Sequence, residues 1–270
     1  MRILLATGLA LGLSIPVARA GAEEVRPVRF ILVGDSTVAR TSGYGNALCD
    51  RVAVADTCIN LARAGRSSVS FRREGRWDEV EGLLRGGAAY RATYVLIQFG
   101  HNDQPGKPGH STDLATEFPA NMARYAREVK ALGGVPVLVT PLTRRTFVDG
   151  KLDNNLRPWA DAVLKVARQE GVAVLDLNAV SHAAVQAMGQ DEADTLAVEP
   201  RPAGWVAPAV LPGAAGYGVS APEHVQPPSM PKTAFDRTHL GSKGAAYFAR
   251  MVVRGLQQAL PVLAGEFTPD

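Results

Sequence analysis

Five short apolar runs constrain the fold of this chain more than any other feature. They lie at residues 28–33, 58–61, 94–99, 135–140 and 172–177, are rich in Val, Ile and Leu, and lack strict polar alternation. Strands covered on both faces read this way, because neither face meets water. Helical stretches separate them at 77–84, at 120–132 closed by Gly133 and Gly134, and at 156–169 closed by Gly171, and a last one runs over about 242–259. Glycine just past a helix end supplies the usual left-handed cap. Alternating strands and helices predict an α/β fold, a parallel sheet with helices on both faces. With 270 residues and 46% hydrophobic content, the chain can bury a full core as one domain.

Such sheets place ligands beyond the carboxyl ends of their strands. Polar residues gather there: the first run is followed by "GDST", the second by "ARAGRSS", the third by "GHNDQ" and the fourth by "PLTRR". Gly-Asp-Ser is also an ordinary turn sequence. Whether Ser36 is a turn residue or a nucleophile therefore depends on what the other loops bring.

Residues 1–20 carry Arg2, an apolar run and then Val-Ala-Arg-Ala, which reads as a secretory signal cleaved after Ala20. The run is shorter than the ~20 apolar residues a membrane anchor needs, and no later segment reaches that length. The mature protein, residues 21–270, is expected to be secreted or periplasmic and not membrane-bound. Losing Arg2 and Arg19 takes the basic count from 29 to 27 against 26 acidic residues, a net charge of +1. That near-neutrality gives no support to nucleic-acid binding, which needs a basic excess. Cys49 and Cys58 are the only cysteines, and in an exported protein such a pair is expected to form a disulfide. Two thiols without nearby histidines fall short of a four-ligand metal site. Residues 191–235 are dense in Pro, Ala and Gly without periodicity and read as a long insertion.

Acyl transfer needs a nucleophile, a base, a group that orients the base, and donors for the oxyanion. Ser36 ends the first strand. Asp236 precedes His239 by three residues, a spacing that can set a carboxylate beside an imidazole and leave the other ring nitrogen free. Gly65 offers an unobstructed backbone N–H, and Asn102 offers a side-chain amide. Taken singly, each is an ordinary turn or cap residue. Their joint occurrence, three of them at inferred strand ends, makes the chemical case.

The blocks "VGDST", "NLARAGRSS", "QFGHND" and "DRTH" resemble the four signature blocks of the SGNH (GDSL-type) hydrolases, in the family's order from Val33 to His239. Thr37 and the "GHND" form of the third block resemble the rhamnogalacturonan acetylesterase group. The resemblance implies a flavodoxin-like three-layer α/β/α sandwich around a five-stranded parallel sheet, with no cofactor and no metal. It implies Ser36 as nucleophile, His239 as general base and acid, and Asp236 as its orienting partner. Ser36, Gly65 and Asn102 become the oxyanion donors. In keeping with it, the Gly-x-Ser-x-Gly elbow of other serine hydrolases is absent from the sequence.

The implied activity is hydrolysis of acetyl esters on a plant cell-wall polysaccharide or oligosaccharide, in the first place rhamnogalacturonan. Acetylxylan esterase, lipase or thioesterase activity on the same scaffold are the alternatives, and a non-catalytic carbohydrate-binding protein is another. The arginines Arg63, Arg66, Arg72, Arg73, Arg76, Arg144 and Arg145 form either a solvated charged face or a site for uronate carboxylates, which the guanidinium fork suits. Arg66 and Arg144 are the candidates for substrate contact. His101, Asp35 and Asp103 read as loop organisers, His110, His182 and His224 as surface histidines. Trp77, Trp159 and Trp205 read as core residues rather than sugar platforms.

Overall fold

The computed structural model describes residues 26–204 and 235–269. Strands form at Val28–Gly34 (β1), Thr57–Asn60 (β2), Ala92–Gln98 (β3) and Val135–Val139 (β4). A small antiparallel hairpin pairs Phe147–Val148 (β5) with Lys151–Leu152 (β6), and Ala173–Leu175 (β7) follows. Helices span Gly45–Cys49 (α1), Ser70–Arg73 (α2), Arg76–Arg85 (α3), Glu117–Ala131 (α4), Arg157–Glu170 (α5), Leu177–Met188 (α6), Gln190–Asp194 (α7) and Ser242–Ala259 (α8). The main sheet has the order β2-β1-β3-β4-β7 with every pair parallel. The predicted five-stranded parallel sheet is therefore present.

Successive strand residues point to opposite faces, and both faces are buried. Phe30, Leu32, Leu96 and Val139 pack with Leu48 of α1 and with Phe248, Val252 and Leu256 of α8. Ile31, Val33, Ile97 and Leu138 pack instead with Trp77 of α3, Met122 and Tyr125 of α4, and Trp159 of α5. Each such aliphatic or aromatic side chain contributes roughly 1.5–3 kcal/mol by leaving water. Trp77 and Trp159 are accordingly core residues, 2% and 4% exposed. Helix α4 buries Phe118, Met122, Tyr125, Ala126 and Val129, the single stripe expected of a helix lying on a sheet. It stops where Gly133 and Gly134 donate back to the carbonyls of Lys130 and Val129.

Two sequence expectations are corrected here. The run 172–177 ends as a strand at Leu175, because the Asp176 side chain accepts from Ala179 N–H at 3.2 Å and starts α6. That helix buries Asn178 and Ser181 beside Leu177 and Val185, so its apolar periodicity is weak. The irregular stretch assigned from residue 191 begins with helix α7 instead. Its centre, with Trp205 and His224, lies outside the described residues, as do residues 1–20. Among the described residues no helix is long and apolar enough to cross a membrane. Cys49 and Cys58 are disulfide-bonded and tie the end of α1 to β2.

Candidate active site

The order β2-β1-β3 sends the chain to opposite sides of β1, which opens a crevice at the carboxyl ends of β1 and β3. The loops after β1, β2 and β3 carry Ser36, Gly65 and Asn102 to that end. The loop after β1 is folded tightly on itself: Tyr44 N–H donates to the Thr37 carbonyl at 2.9 Å, and Gly45 N–H to that of Val38 at 3.1 Å. Gly43 lies under it so closely that an added Cβ would sit 2.2 Å from the Thr37 carbonyl carbon.

A polar network braces this loop from below. Asp35 Oδ1 accepts from Thr37 N–H at 2.9 Å and Thr37 Oγ1 at 2.8 Å. Thr37 Oγ1 in turn accepts from Gln98 Nε2 at 2.7 Å, and Gln98 Oε1 from Tyr44 OH at 2.8 Å. The His101 ring lies across from Asp35, with Nδ1 3.3 Å from Oδ2. Burial would raise the Asp35 carboxyl, but His101 and the Thr37 bonds outweigh it and hold it below its ordinary value. Burial lowers His101, against the pull of Asp35.

Asp103 laces the second and third loops together, accepting from Ser68 N–H and Oγ, Gly100 N–H and Thr112 Oγ1. Burial pushes its carboxyl up to about 7 against those bonds. Asp35 and Asp103 are thus loop organisers at 0% exposure.

The second half of the site comes from the chain just before α8. Asp236 folds a short turn on itself: its Oδ1 accepts from the N–H groups of Thr238 and His239, both at 2.7 Å. Its Oδ2 lies 2.9 Å from His239 Nδ1. His239 Nε2 lies 2.9 Å from Ser36 Oγ. A carboxylate accepts only, so Nδ1 carries the proton and Nε2 is the acceptor for the serine hydroxyl. Burial would raise the Asp236 carboxyl, but His239 and the two backbone N–H bonds hold it well below the usual carboxylate range. The turn is pinned to the nucleophile loop by Leu240 N–H, which donates to the Ser42 carbonyl at 2.9 Å. Ser42 Oγ itself donates to the Ser36 carbonyl at 2.9 Å.

Arg145 completes the support and corrects its reading as part of a solvated charged face or a uronate site. The side chain is 0% exposed, and its guanidinium donates to the carbonyls of Asp236 (3.2 Å), Thr238 (3.4 Å) and His239 (2.8 Å). Burial pulls it down to about 10, so it remains a cation at neutral pH. Arg144, a candidate for substrate contact, is also buried, 7% exposed, and its guanidinium donates to Asn155 Oδ1. Arg66 keeps a third of its side chain exposed but pairs with Glu74 at 2.8 Å. Arg72 pairs with Glu128 and lies over the Trp77 and Tyr125 rings. Much of the arginine cluster is therefore structural. His110 and His182 also have partners, Ser70 Oγ and the Leu152 carbonyl.

The candidate donors lie in the loops that follow β1, β2 and β3. Among the described residues neither Ser36 N–H nor Gly65 N–H has an acceptor within the protein. Gly65 has φ +79°, a backbone conformation that side chains disfavour. Asn102 Nδ2 donates one hydrogen to the Arg66 carbonyl at 3.0 Å and has a second to give. A hydroxyl within hydrogen-bond reach of an oriented imidazole is suited to nucleophilic acyl transfer. Thr37, Gln98, Ser42 and Arg145 support that arrangement; Thr37 and Gln98 fall inside the signature-like blocks, whereas no local pattern marks Ser42 or Arg145 for this work.

Known proteins resemble this chain in sequence and in fold. Rhamnogalacturonan acetylesterase RhgT of Bacillus subtilis is 30% identical over 241 residues, 86% of this chain and 91% of its own length. A rhamnogalacturonan acetylesterase of Emericella nidulans is 44% identical over a shorter stretch of 73 residues, 27% of each chain. Among solved structures, protein YXIM of Bacillus subtilis superposes with a TM-score of 0.64 at 24% identity, over 89% of this chain and 58% of that longer one. The acetylxylan esterase Axe2 of Geobacillus stearothermophilus superposes with a TM-score of 0.53 at 16% identity, over 84% of this chain and 93% of its own. The GDSL-like lipase/acylhydrolase family profile matches residues 32–219, and with it the chain belongs to that family as a carboxylic ester hydrolase.

Proposed function

We propose that this esterase removes acetyl groups from a plant cell-wall polysaccharide, the rhamnogalacturonan of pectin, through an acetyl-enzyme on Ser36. The observation that carries the chemistry is the relay from Ser36 Oγ through His239 to Asp236, each step 2.9 Å long. Similarity to RhgT along nearly the whole of both chains supports the substrate.

Ser36 Oγ attacks the acetyl carbonyl carbon as its proton passes to His239 Nε2. The carbonyl electron pair moves onto oxygen, where the N–H groups of Ser36 and Gly65 and the Asn102 amide receive it. Each such donor is worth about 3 kcal/mol in a water-excluded site. The intermediate collapses, the C–O bond to the sugar breaks, and His239 returns its proton to the departing sugar hydroxyl. Water then gives a proton to His239 and attacks the acetyl-enzyme, and collapse releases acetate and restores the Ser36 hydroxyl. Asp236 stays ionised throughout and stabilises the imidazolium.

The N-terminal signal-like segment and the Cys49–Cys58 disulfide support export to the periplasm or beyond the cell, where thiols oxidise. The test is acetate release from acetylated rhamnogalacturonan, acetylated xylan and a short-chain lipid ester, compared side by side, with Ser36→Ala as the blank. Rhamnogalacturonan is expected to lead. A preference for xylan corrects the substrate alone, whereas a preference for the lipid ester overturns the reading.

A further inference from the structure

The loop after β3 holds a cation against the amide proposed to stabilise the oxyanion. Lys107 Nζ donates to Asn102 Oδ1 at 3.1 Å and to the His101 carbonyl at 3.0 Å. The backbone of Lys107 is fixed in turn. Its N–H donates to Ser111 Oγ at 2.9 Å, and its carbonyl accepts from the N–H groups of His110 and Ser111, both at 2.9 Å. Ser111 Oγ donates onward to the Gln104 carbonyl at 2.8 Å. Residues 104–111 are therefore folded onto themselves and deliver the ammonium from a short, anchored loop.

The consequence for Asn102 is orientation. A primary amide has a donor end and an acceptor end of nearly equal size, and only the donor end can hold an oxyanion. Here the acceptor end meets an ammonium and the donor end meets the Arg66 carbonyl at 3.0 Å. Rotating the amide by half a turn would set N–H against ammonium and carbonyl against carbonyl. Both contacts would be repulsive, so one orientation remains. A cation on the amide oxygen also draws electron density from the nitrogen, which strengthens the hydrogen bonds its N–H groups donate as negative charge develops.

We propose that Lys107 is a positioning residue of the oxyanion site, which selects and polarises the Asn102 amide without itself touching the ester. The proposal rests on the reading of Asn102 as an oxyanion donor, and the experiment separates the two. Lys107→Met and Lys107→Arg are made in the native chain and in Asn102→Ala, and kcat and KM are measured with 4-nitrophenyl acetate, which carries no carboxylate, and with acetylated rhamnogalacturonan. Lys107→Met is expected to lower kcat on both substrates by about tenfold to a hundredfold, the range for losing one charged hydrogen bond. KM stays within about twofold on this account, because orienting a transition-state donor leaves ground-state binding alone. Lys107→Arg recovers most of the rate. In the Asn102→Ala background Lys107→Met costs nothing further, because the residue acts through an amide that is gone.

An equal loss in the Asn102→Ala background overturns the proposal. So does an effect confined to KM on the acidic polysaccharide, which would make Lys107 a substrate cation. Full activity of Asn102→Ala alone brings down the donor reading and the proposal together. An impaired Asn102→Ala beside an unimpaired Lys107→Met brings down only the proposal.

Discussion

The loop that carries Ser36 and the turn that carries His239 approach to 2.9 Å, yet they are anchored by different kinds of contact. The first leaves the end of a central strand and is held by buried side chains, in the relay Asp35, Thr37, Gln98 and Tyr44. The second precedes α8 and owes its place to backbone carbonyls gripped by Arg145 and to the Leu240 bond to Ser42. A loop at a strand end inherits its position from the sheet. A turn reached from outside the sheet needs a clamp, and a guanidinium suits this because its planar fork can donate to several carbonyls at once.

The largest expected effect falls on the relay itself. Ser36→Ala should abolish turnover of 4-nitrophenyl acetate while the melting temperature stays within a few degrees, and retained activity would remove Ser36 as nucleophile. Asp236→Asn should lower kcat by about 10⁴-fold, since an amide holds the imidazole in the wrong tautomer. A loss no greater than that from a donor variant would place the base elsewhere. Asn102→Ala, on the sheet-anchored side, should cost about 10²–10³-fold in kcat with KM little changed.

Arg145→Met tests the clamp most directly. It leaves three carbonyls without their donor, at roughly 1–3 kcal/mol for each that stays buried and unsatisfied. The melting temperature should fall by about 5 °C or more, and kcat should fall with it as the turn loosens. Arg145→Lys should recover only part, since one ammonium cannot reproduce the fork. A fully active, fully stable Arg145→Met would show that the Leu240 bond suffices.

The smallest expected effect concerns acid stability. The Asp236 carboxyl lies below its ordinary value in the folded chain. It therefore adds stability that is complete above the ordinary carboxylate pKa of ~4 and is lost as pH falls through the lower folded value. Asp35 acts in the same direction. Asp103, pushed up to about 7, acts in the opposite one: its contribution is complete below ~4 and is lost as pH rises through about 7. Thermal unfolding followed from pH 5 to pH 2 should show a shallower acid loss in Asp236→Asn than in the native chain. Parallel curves would mean that the turn releases no stability on protonation.

Legibility differed between the two sides in the same way. Gly-Asp-Ser, "GRSS" and "GHND" follow strands that apolar periodicity marks, so their meeting place was readable from the order of the runs. Asp236 and His239 were readable as a pair from their spacing. Helix α6 was missed because its apolar residues form no single stripe, and Arg145 was misread because two arginines after a strand look like a solvated face or a uronate site rather than a buried clamp. The clamp lies across more than 90 residues of chain, from Arg145 to His239.

The amino-acid sequence by itself determined the strands, the long helices with their glycine ends, the polar strand termini and the Asp236–His239 pair. Periodicity, capping and turn chemistry are local, and each acts within one or two turns of chain. Tertiary structure alone decided that Asp35, Thr37, Gln98 and Tyr44 form one buried relay, that Arg145 faces inward, and that Lys107 rests on the Asn102 amide. Those arrangements depend on which loops the sheet order brings side by side, and on the need of every buried polar group for a partner that its own segment does not supply.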